Sequence, residues 1–294
     1  MTKRALLLIN RQARKGKESF AQAIDILDDL DFELITVPTK SAAKTTDFIK
    51  NHARSVDMVI VGGGDGTINS IVNTLVHYQL PLGILPLGTA NDLARTLNIP
   101  SAIADACKVI AQGYRKPIDL GKVNDIYFLN VASLGLSVEI TQKLTKGAKS
   151  RWGILAYGLT ALKVLSQTRP FHANIQINGQ SHYVKTLQIA VGNGRYYGGG
   201  MMIASDALID DQRLDVYSLE VKHWWQIFPL LYHLPQGQQK ILPWVRDLEG
   251  QTVEIRTTRP RPINTDGEIT TETPAIFSVV PQAIEVFVPE PVAA

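Results

Sequence analysis

The sequence predicts a two-domain protein, with an α/β N-terminal domain followed by a β-sandwich C-terminal domain. In the first part, short apolar strands alternate with amphipathic helices, the pattern of a parallel sheet covered by helices on both faces. After residue 116, strands follow one another with little helix between them, which is typical of a β-sandwich. The 294 residues, 45% of them hydrophobic, are enough to build a core in each domain.

The predicted elements of the first domain, residues 1–116, follow the spacing of the apolar residues. Short apolar runs predict strands at 5–9, 33–37, 58–61 and 82–85. Apolar residues at helical spacing predict helices at 18–30, 42–53, 68–77, 91–97 and 102–112. Because strands and helices alternate along the chain, neighbouring strands are expected to be parallel.

The second domain is assigned to residues 117–294, with the last residues as candidates to return to the first domain. The Lys116-Pro117 pair marks the predicted boundary, since the alternation of strand and helix ends there. Strands are predicted at 118–123, 126–132, 173–177, 185–191, 214–219, 252–256 and 283–288. A helical insertion at 138–167 interrupts them, and an apolar segment at 223–232 predicts a further helix.

Charge and composition argue against several classes of protein. A formal net charge of +3 and a pI near 8.8 are a mild basic bias, and no nucleic-acid partner is expected. The single cysteine, Cys107, lies in an apolar helical pattern, so no disulfide framework exists and a cytoplasmic location is expected. The longest apolar stretches, at 152–165 and 224–234, are shorter than the ~20 residues that cross a bilayer.

A glycine-rich turn separates the strand at 58–61 from the next helix and reads Gly62-Gly63-Gly64-Asp65-Gly66-Thr67. Glycines let the backbone approach phosphoryl oxygens, and free N–H groups at a helix start attract the anion. The turn has neither the Walker A ending nor the Rossmann spacing. Asp65 is informative, because a carboxylate beside polyphosphate requires a divalent metal or a transferred proton. The alternative is a plain turn in which Asp65 caps the next helix.

A second turn of this kind follows the strand at 82–85 and reads Pro86-Leu87-Gly88-Thr89-Ala90-Asn91-Asp92-Leu93-Ala94-Arg95. Thr89 and Asn91 can form hydrogen bonds where a phosphate or a head group would lie. Alternatively, Asn91 or Asp92 caps the helix. Since ligands collect at the carboxyl ends of parallel strands, two such turns in one sheet favour a binding site.

Three segments of the second domain accompany these turns. They are Gly192-Asn193-Gly194-Arg195-Tyr196-Tyr197-Gly198-Gly199-Gly200, Leu208-Ile209-Asp210-Asp211 and Asp266-Gly267-Glu268. In this order the five segments resemble the diacylglycerol kinase catalytic-domain family, which includes the bacterial lipid kinases. The resemblance covers nearly the whole chain. The first turn alone is shared with NAD kinases, whereas the ordered set is highly specific.

The resemblance implies a fold, a reaction and a nucleotide site. The N-terminal domain would be of the NAD kinase/phosphofructokinase type, with the nucleotide in the cleft between it and the β-sandwich. The protein would be an ATP-dependent lipid kinase that transfers the γ-phosphoryl group to a hydroxyl of diacylglycerol or a related lipid, with ATP and Mg²⁺ as cofactors. The implied nucleotide contacts are Asn10, Thr39, Gly63, Gly64, Asp65, Gly66, Thr67 and Thr89.

The resemblance also implies catalytic and metal-binding residues. Glu268 would accept the proton of the lipid hydroxyl, Asp266 could share or replace that role, and Asp65 completes the catalytic set. A magnesium ion in the second domain would be bound by Leu208, Asp211 and Arg213, the first and last through backbone oxygens. Without the resemblance, Asp266-Gly267-Glu268 would be interpreted as a surface hairpin turn and Asp210-Asp211 as a solvated turn.

Two positions depart from the family pattern. The loop after the first strand keeps Asn10 and Gly16 but has four cations between residues 11 and 17, which could bind phosphates or be solvated. The usual Asp-Asp-Gly of the metal turn has Gln212 as its third residue here. The magnesium assignment therefore rests on fewer matching residues than the catalytic one.

Two rival functions and a membrane contact complete the predictions. An NAD kinase would share the first turn and the layout, and a non-catalytic lipid- or nucleotide-binding protein would share the fold. The segment 143–169 has six cations, no acid and interleaved apolar residues, which predicts a transient, peripheral contact with a membrane surface. Its alternative is an amphipathic helix packed on the second domain. Neither the particular lipid nor the oligomeric state can be derived from the sequence.

Overall fold

The structure is a computed structural model, and it describes residues 2–9, 16–38, 42–147 and 168–291. Backbone contacts divide the chain into two compact units, Met1–Leu120 with Val280–Ala294, and Gly121–Val279. The chain passes from one unit to the other within two strands, Arg115–Val123 and Ala275–Phe287. The boundary expected at Pro117 lies inside the first of these strands, where the chain stays extended and no turn marks the crossing.

The elements of the chain follow in two groups. Those up to residue 123 are β1 (Lys3–Ile9), α1 (Gly16–Asp29), β2 (Phe32–Pro38), α2 (Ala42–His52), β3 (Met58–Gly63), α3 (Asp65–Tyr78), β4 (Leu82–Pro86), α4 (Asp92–Thr96), α5 (Ile103–Gln112) and β5 (Arg115–Val123). The rest are β6 (Ile126–Phe128), β7 (Val131–Gly135), α6 (Leu136–Gly147), β8 (Phe171–Ile177), β9 (Gln180–Thr186), β10 (Gln188–Gly192), β11 (Tyr196–Tyr197), β12 (Met201–Met202), β13 (Leu214–Leu219), α7 (Ile227–His233), β14 (Val245–Gly250), β15 (Thr252–Thr257), β16 (Pro262–Thr265), β17 (Glu268–Glu272) and β18 (Ala275–Phe287).

The first unit is built on a parallel sheet in the order β2-β1-β3-β4. The end of β18 adds a further parallel strand, with Val286 opposite Leu82. Helix α1 packs with α5, and α2 packs with α3. Every residue of β3 and β4 is buried, as the continuous apolar runs of a doubly covered sheet require.

The second unit contains two antiparallel sheets. One has the order β14-β13-β10-β7-β16-β17, and the other joins the start of β18 to β15, β8 and β9. Alternate side chains of both sheets form one buried core, among them Leu134, Val191, Ile175, Ile255 and Phe277. This arrangement is a β-sandwich. The predicted fold, an α/β domain followed by a β-sandwich, is therefore confirmed.

Several predicted element boundaries were wrong. The strand expected at 126–132 is two strands separated by a turn at Leu129-Asn130, and the strand expected at 185–191 breaks at Leu187. The helix expected from residue 68 begins at Asp65, so part of the glycine-rich turn is its first turn. Strands β14, β16 and β17 were not predicted, because each has only one or two apolar residues and offers little periodicity to detect.

The helical insertion expected at 138–167 is described only in its first part. Helix α6 ends at Gly147, and residues 148–167, with most of the basic segment assigned to membrane contact, lie outside the described residues. Within the described ranges, no helix is both long and apolar enough to span a membrane.

Candidate active site

The two glycine-rich turns of the first unit lie against each other. Strands β3 and β4 are parallel neighbours, so both turns leave the same edge of the sheet, and the Leu87 N–H donates to the Gly63 carbonyl at 3.1 Å. A Cβ atom on Gly88 would lie 2.4 Å from the Cα of Gly64, closer than side chains approach backbone. Glycine at position 88 is thus required by the contact between the turns.

Asp65 links the first turn to the helix that follows the second. One carboxylate oxygen accepts a hydrogen bond from the Asp92 N–H at 3.0 Å, and the other accepts one from the Leu93 N–H at 2.9 Å. These N–H groups lie in the first turn of α4, whose own N-cap residue, Asn91, has a left-handed backbone and accepts no capping hydrogen bond with its side chain. Asp65 therefore caps α4 rather than its own helix, and its charge is stabilised by two backbone donors.

Asn91 has a different role, since its side chain closes the second turn. The Gly88 N–H donates to Asn91 Oδ1 at 2.9 Å, and Asn91 Nδ2 donates to the Gly88 carbonyl at 3.0 Å. The neighbouring Thr89 is exposed at the tip of the turn. These two bonds close the turn in which the exposed Thr89 lies.

The first turn has an open side. Gly66 is exposed, and no atom would lie within 4 Å of a Cβ placed on it. Because α3 begins at Asp65, the N–H groups of Asp65 and Gly66 belong to the first helical turn, where the helix itself supplies no acceptor. Such groups bind phosphate oxygens. The expected contacts Asn10 and Thr39, and the cations at 11–15, lie outside the described residues.

In the second unit, Asp266 and Gly267 form the two-residue turn of the hairpin between β16 and β17. Both have positive φ angles, 49° and 99°, the conformation that Asp-Gly adopts in tight hairpins. The Asp266 carboxylate accepts hydrogen bonds from the N–H groups of Leu129 at 2.6 Å, Asn130 at 2.9 Å and Val131 at 3.1 Å. Asp266 therefore fastens the hairpin to the turn between β6 and β7.

The turn at 129–131 was missed by the sequence reasoning, which placed it inside a strand. It also holds the Gly192-Asn193-Gly194 segment, because the Asn193 and Gly194 N–H groups donate to the Asn130 carbonyl at 2.9 and 3.3 Å. Asn193 Nδ2 donates to the Leu129 carbonyl at 3.0 Å. Two of the five segments thus meet at one turn, and a polar Asn130 between apolar neighbours was the only signal in the sequence.

Glu268 differs from Asp266 two positions earlier. It is the first residue of β17, opposite Thr265, and it is exposed. Its carboxylate has no hydrogen-bond or ionic partner in the ranges that the structure describes. The Glu268 carboxylate is therefore open to a substrate group, whereas three N–H donors occupy the oxygens of Asp266.

The Gly192–Gly200 segment contributes Tyr197, which pairs with the buried Tyr217 of β13. Tyr197 and Tyr217 share a hydrogen bond of 2.7 Å between their hydroxyl groups, and Gln188 Nε2 donates to Tyr217 at 3.0 Å. Burial and the neighbouring Tyr217 raise the pKa of Tyr197 well above its usual value, and burial raises the pKa of Tyr217 to about 12. Both phenols stay protonated, so this network anchors the segment and offers no titratable acid.

One of the expected magnesium residues, Arg213, has its side chain among four carboxylates. The side chain of Arg213 lies 3.0 Å from Glu249, 3.4 Å from Asp215, 3.6 Å from Asp211 and 3.9 Å from Asp206. Asp211 also accepts the Arg213 N–H at 3.2 Å. Asp211 shares this one guanidinium with three other carboxylates, and a divalent cation there would lie close to the guanidinium. The magnesium site expected at Leu208, Asp211 and Arg213 stays a prediction.

The neighbourhood of Arg213 is polar and partly open. Burial raises the pKa of Asp215 to about 7, although the attraction of Arg213 opposes that rise. A cavity of about 890 Å³ opens beside Asp211 and Arg213, and none of the expected nucleotide or catalytic residues lines it. In the described part of the chain, no group of three or more His, Cys, Asp or Glu side chains could hold a metal.

Comparison with known proteins matches both parts of the chain. Residues 4–123 match the diacylglycerol kinase catalytic domain, and residues 130–288 match the YegS C-terminal NAD kinase beta sandwich-like domain. A diacylglycerol kinase of Staphylococcus carnosus (strain TM300) is 29% identical over 99% of this chain and 97% of its own. A Staphylococcus aureus (strain JH9) protein, named as a proposed lipid kinase, is 30% identical over 80% of this chain and 78% of its own.

A solved structure supports the same assignment. The crystal structure of a proposed diacylglycerol kinase from Bacillus anthracis str. Sterne has a TM-score of 0.83 and 26% identity, with 98% of this chain and 95% of that one covered. The lipid-kinase function predicted from the five segments is confirmed and is favoured over an NAD kinase or a non-catalytic binding protein. The chain belongs to the diacylglycerol kinase catalytic-domain family.

Proposed function

We propose that this lipid kinase transfers the γ-phosphoryl group of MgATP to a hydroxyl group of diacylglycerol or a closely related lipid, with Glu268 as the proton acceptor. The observation that carries the residue assignment is the contrast within one hairpin. Asp266 is bound by three backbone N–H groups, whereas the exposed Glu268 carboxylate has no partner in the described residues.

The reaction requires one proton acceptor and correct alignment. The lipid oxygen forms a bond to the γ-phosphorus as the bond from that phosphorus to the bridging oxygen of ADP breaks, and the hydroxyl proton passes to Glu268. Magnesium bound with ATP supplies positive charge beside the phosphate oxygens. The protein contributes orientation and hydrogen bonds rather than covalent chemistry.

The first unit would bind the nucleotide. The N–H groups at the start of α3, with Gly63, Gly64, Gly66, Thr67 and Thr89, would contact the phosphates, and Asn10 and Thr39 are retained as expected contacts. Asp65 is assigned as a positioning residue, because both of its oxygens cap α4 and hold the second turn beside the first. Asp266 has the corresponding positioning role in the second unit.

The proposed place of action is the cytoplasmic surface of a membrane. The substrate resides in a bilayer, ATP is a cytoplasmic substrate, and a single buried cysteine suits a reducing compartment. The association with the membrane would be peripheral and transient.

An acceptor panel tests the proposal. The purified full chain is incubated with γ-labelled ATP, magnesium and vesicles that contain diacylglycerol, phosphatidylglycerol or a sphingoid base, with NAD as a soluble acceptor. Label is expected in diacylglycerol or one related lipid and not in NAD. Labelled NADP, or no labelled lipid while ATP still binds, would overturn the assignment.

A further inference from the structure

The second unit exposes three aromatic side chains on one short helical segment. Trp225 is 52% exposed, Phe228 is 51% exposed and Tyr232 is 68% exposed. The first lies in a 3₁₀ turn, Trp224–Gln226, and the others lie in α7. Their spacing of three and then four residues places them on one side of the helix. We call Trp225, Phe228 and Tyr232 the aromatic face.

The other side of this segment is firmly anchored, so the exposure does not come from loose packing. Leu230 and Leu234 are buried in a cluster with Leu219. The buried Gln239 donates to the Met202 carbonyl at 3.2 Å. The aromatic face is therefore a fixed feature of an amphipathic segment.

The start of the segment is also ordered by hydrogen bonds. Gln226 Oε1 accepts the N–H groups of Lys222 and His223 at 2.7 and 2.9 Å. His223 stacks on Trp225, with ring centroids 4.2 Å apart and an interplanar angle of 6°. These contacts fix the direction of the indole before any partner binds, which lowers the entropy lost on binding.

Within the stretch of chain that carries the aromatic face, every charged side chain is basic. Residues 221–246 contain Lys222, Lys240 and Arg246 and no acid. Lys240 lies 3.6 Å from Asp206, and Arg246 lies 2.6 Å from Glu220. Lys222, at the end next to Trp225, is exposed and has no ionic partner among the described residues. The segment thus presents aromatic rings beside one unpaired cation, Lys222, and two cations in ion pairs.

We propose that the aromatic face docks this protein on the interfacial region of an anionic lipid bilayer. Tryptophan and tyrosine favour the boundary between head groups and acyl chains, where the ring is apolar and its N–H or O–H stays hydrated. A cation such as Lys222 beside them attracts anionic head groups. The aromatic and the electrostatic contributions together give reversible binding.

A bilayer fits this surface better than a second copy of the chain does. Two copies packed face to face would bring their unpaired Lys222 side chains towards each other, whereas an anionic lipid surface complements them. The proposal rests on the proposed function, since a lipid substrate supplies the reason for docking. Vesicle binding itself can be measured without any turnover.

The test is co-sedimentation of the full chain with vesicles of phosphatidylcholine and phosphatidylglycerol. The triple variant Trp225→Ala, Phe228→Ala, Tyr232→Ala is expected to bind at least about tenfold more weakly than the parent. The matched control, Tyr183→Ala with Ile276→Ala, removes exposed apolar side chains elsewhere in the second unit and should bind like the parent. A second variant, Lys146→Glu, Lys149→Glu, Arg151→Glu, is measured in the same assay, so that the contribution of the basic segment predicted from the sequence can be compared with that of the aromatic face.

Measurements of turnover and of oligomeric state, together with vesicle binding, distinguish a failure of docking from a failure of the kinase assignment. The triple variant should keep parental turnover on a water-soluble short-chain diacylglycerol, so a failure of the kinase assignment and a failure of docking look different. Equal vesicle binding by parent and triple variant would overturn the proposal. The proposal would also be overturned if the parent were a dimer in sedimentation velocity, the triple variant were a monomer, and both bound vesicles equally. That result would assign the aromatic face to contact with a second copy of the chain.

Should the triple variant fail to fold, the parent decides the question. Brominated lipid vesicles should quench its tryptophan fluorescence, and Trp225→Phe should remove most of that quenching. Undiminished quenching in Trp225→Phe would contradict docking through this face.

Discussion

Asp65 in the first unit and Asp266 in the second have similar sequence neighbours but bind different kinds of secondary structure. Each is an aspartate beside a glycine in a turn, and each carboxylate accepts backbone N–H groups from a distant turn. Asp65 caps a helix with two such bonds, whereas Asp266 fastens a hairpin with three. The oxygens of both motif aspartates are therefore occupied by backbone donors, which supports the proposal that both are positioning residues.

The two turns differ in what stands next to the aspartate. After Asp65 come Gly66, with open space around it, and backbone N–H groups suited to an anion. Two residues after Asp266 comes Glu268, an exposed carboxylate suited to a proton. We therefore propose the first turn as a phosphate site and the second as the site of the base, and four substitutions test this proposal.

The largest effect is expected for Glu268→Gln. Turnover should fall by more than about a hundredfold, because the amide cannot accept the hydroxyl proton. The KM for ATP and the free energy of unfolding should stay at parental values, since this side chain is exposed. Steady-state kinetics and urea unfolding measure both. Glu272→Gln, an exposed acid at the other end of β17, is the matched control and should be fully active.

Asp266→Ala should destabilise the protein most. Three N–H groups lose a charged acceptor, and the expected loss is about 2–4 kcal/mol in the free energy of unfolding. Urea unfolding measures it, and Asp125→Ala, at an exposed surface position, should change nothing. If Asp266→Ala instead lost turnover and kept parental stability, Asp266 would act in the reaction itself and would not be a positioning residue.

Asp65→Ala should have a smaller effect on stability, about 1–2 kcal/mol, since two N–H groups at the start of α4 lose their cap. The second turn would then be held less firmly, and we expect ATP to bind about tenfold more weakly, which corresponds to about 1.4 kcal/mol. Calorimetric titration with MgATP measures this. Asp105→Ala, a surface acid on α5, serves as control. Parental ATP affinity in Asp65→Ala would show that the cap does not support the nucleotide site.

The smallest expected effect is that of Arg213→Ala. Removing a partly exposed guanidinium from among four carboxylates should cost about 1 kcal/mol. Magnesium should raise the unfolding temperature of this variant and leave that of the parent unchanged, because the variant keeps Asp211 and the backbone oxygens without the competing cation. A magnesium-dependent rise in the unfolding temperature of the parent would support the metal site predicted from the sequence.

Local sequence patterns were enough to predict the fold of this protein and two of its turns. The periodicity of apolar residues predicted an α/β domain and a β-sandwich, and the glycines predicted two phosphate-type turns, because these signals depend on a few neighbouring residues. The order of the five segments predicted the family. Strands such as β14 and β17 were not predicted, since they are largely polar and show little periodicity of apolar residues.

Tertiary structure decided the roles that the sequence left equivalent. Asp65 and Asp266 look like reactive acids in the sequence, but the N–H groups that bind them come from 27 and 28 positions away in one case and from 135 to 137 in the other. The sequence also gave no sign that the side chain of Arg213 lies among four carboxylates. A motif specifies which groups are present, whereas their partners, and therefore their charge and reactivity, depend on contacts between residues that only the folded chain brings together.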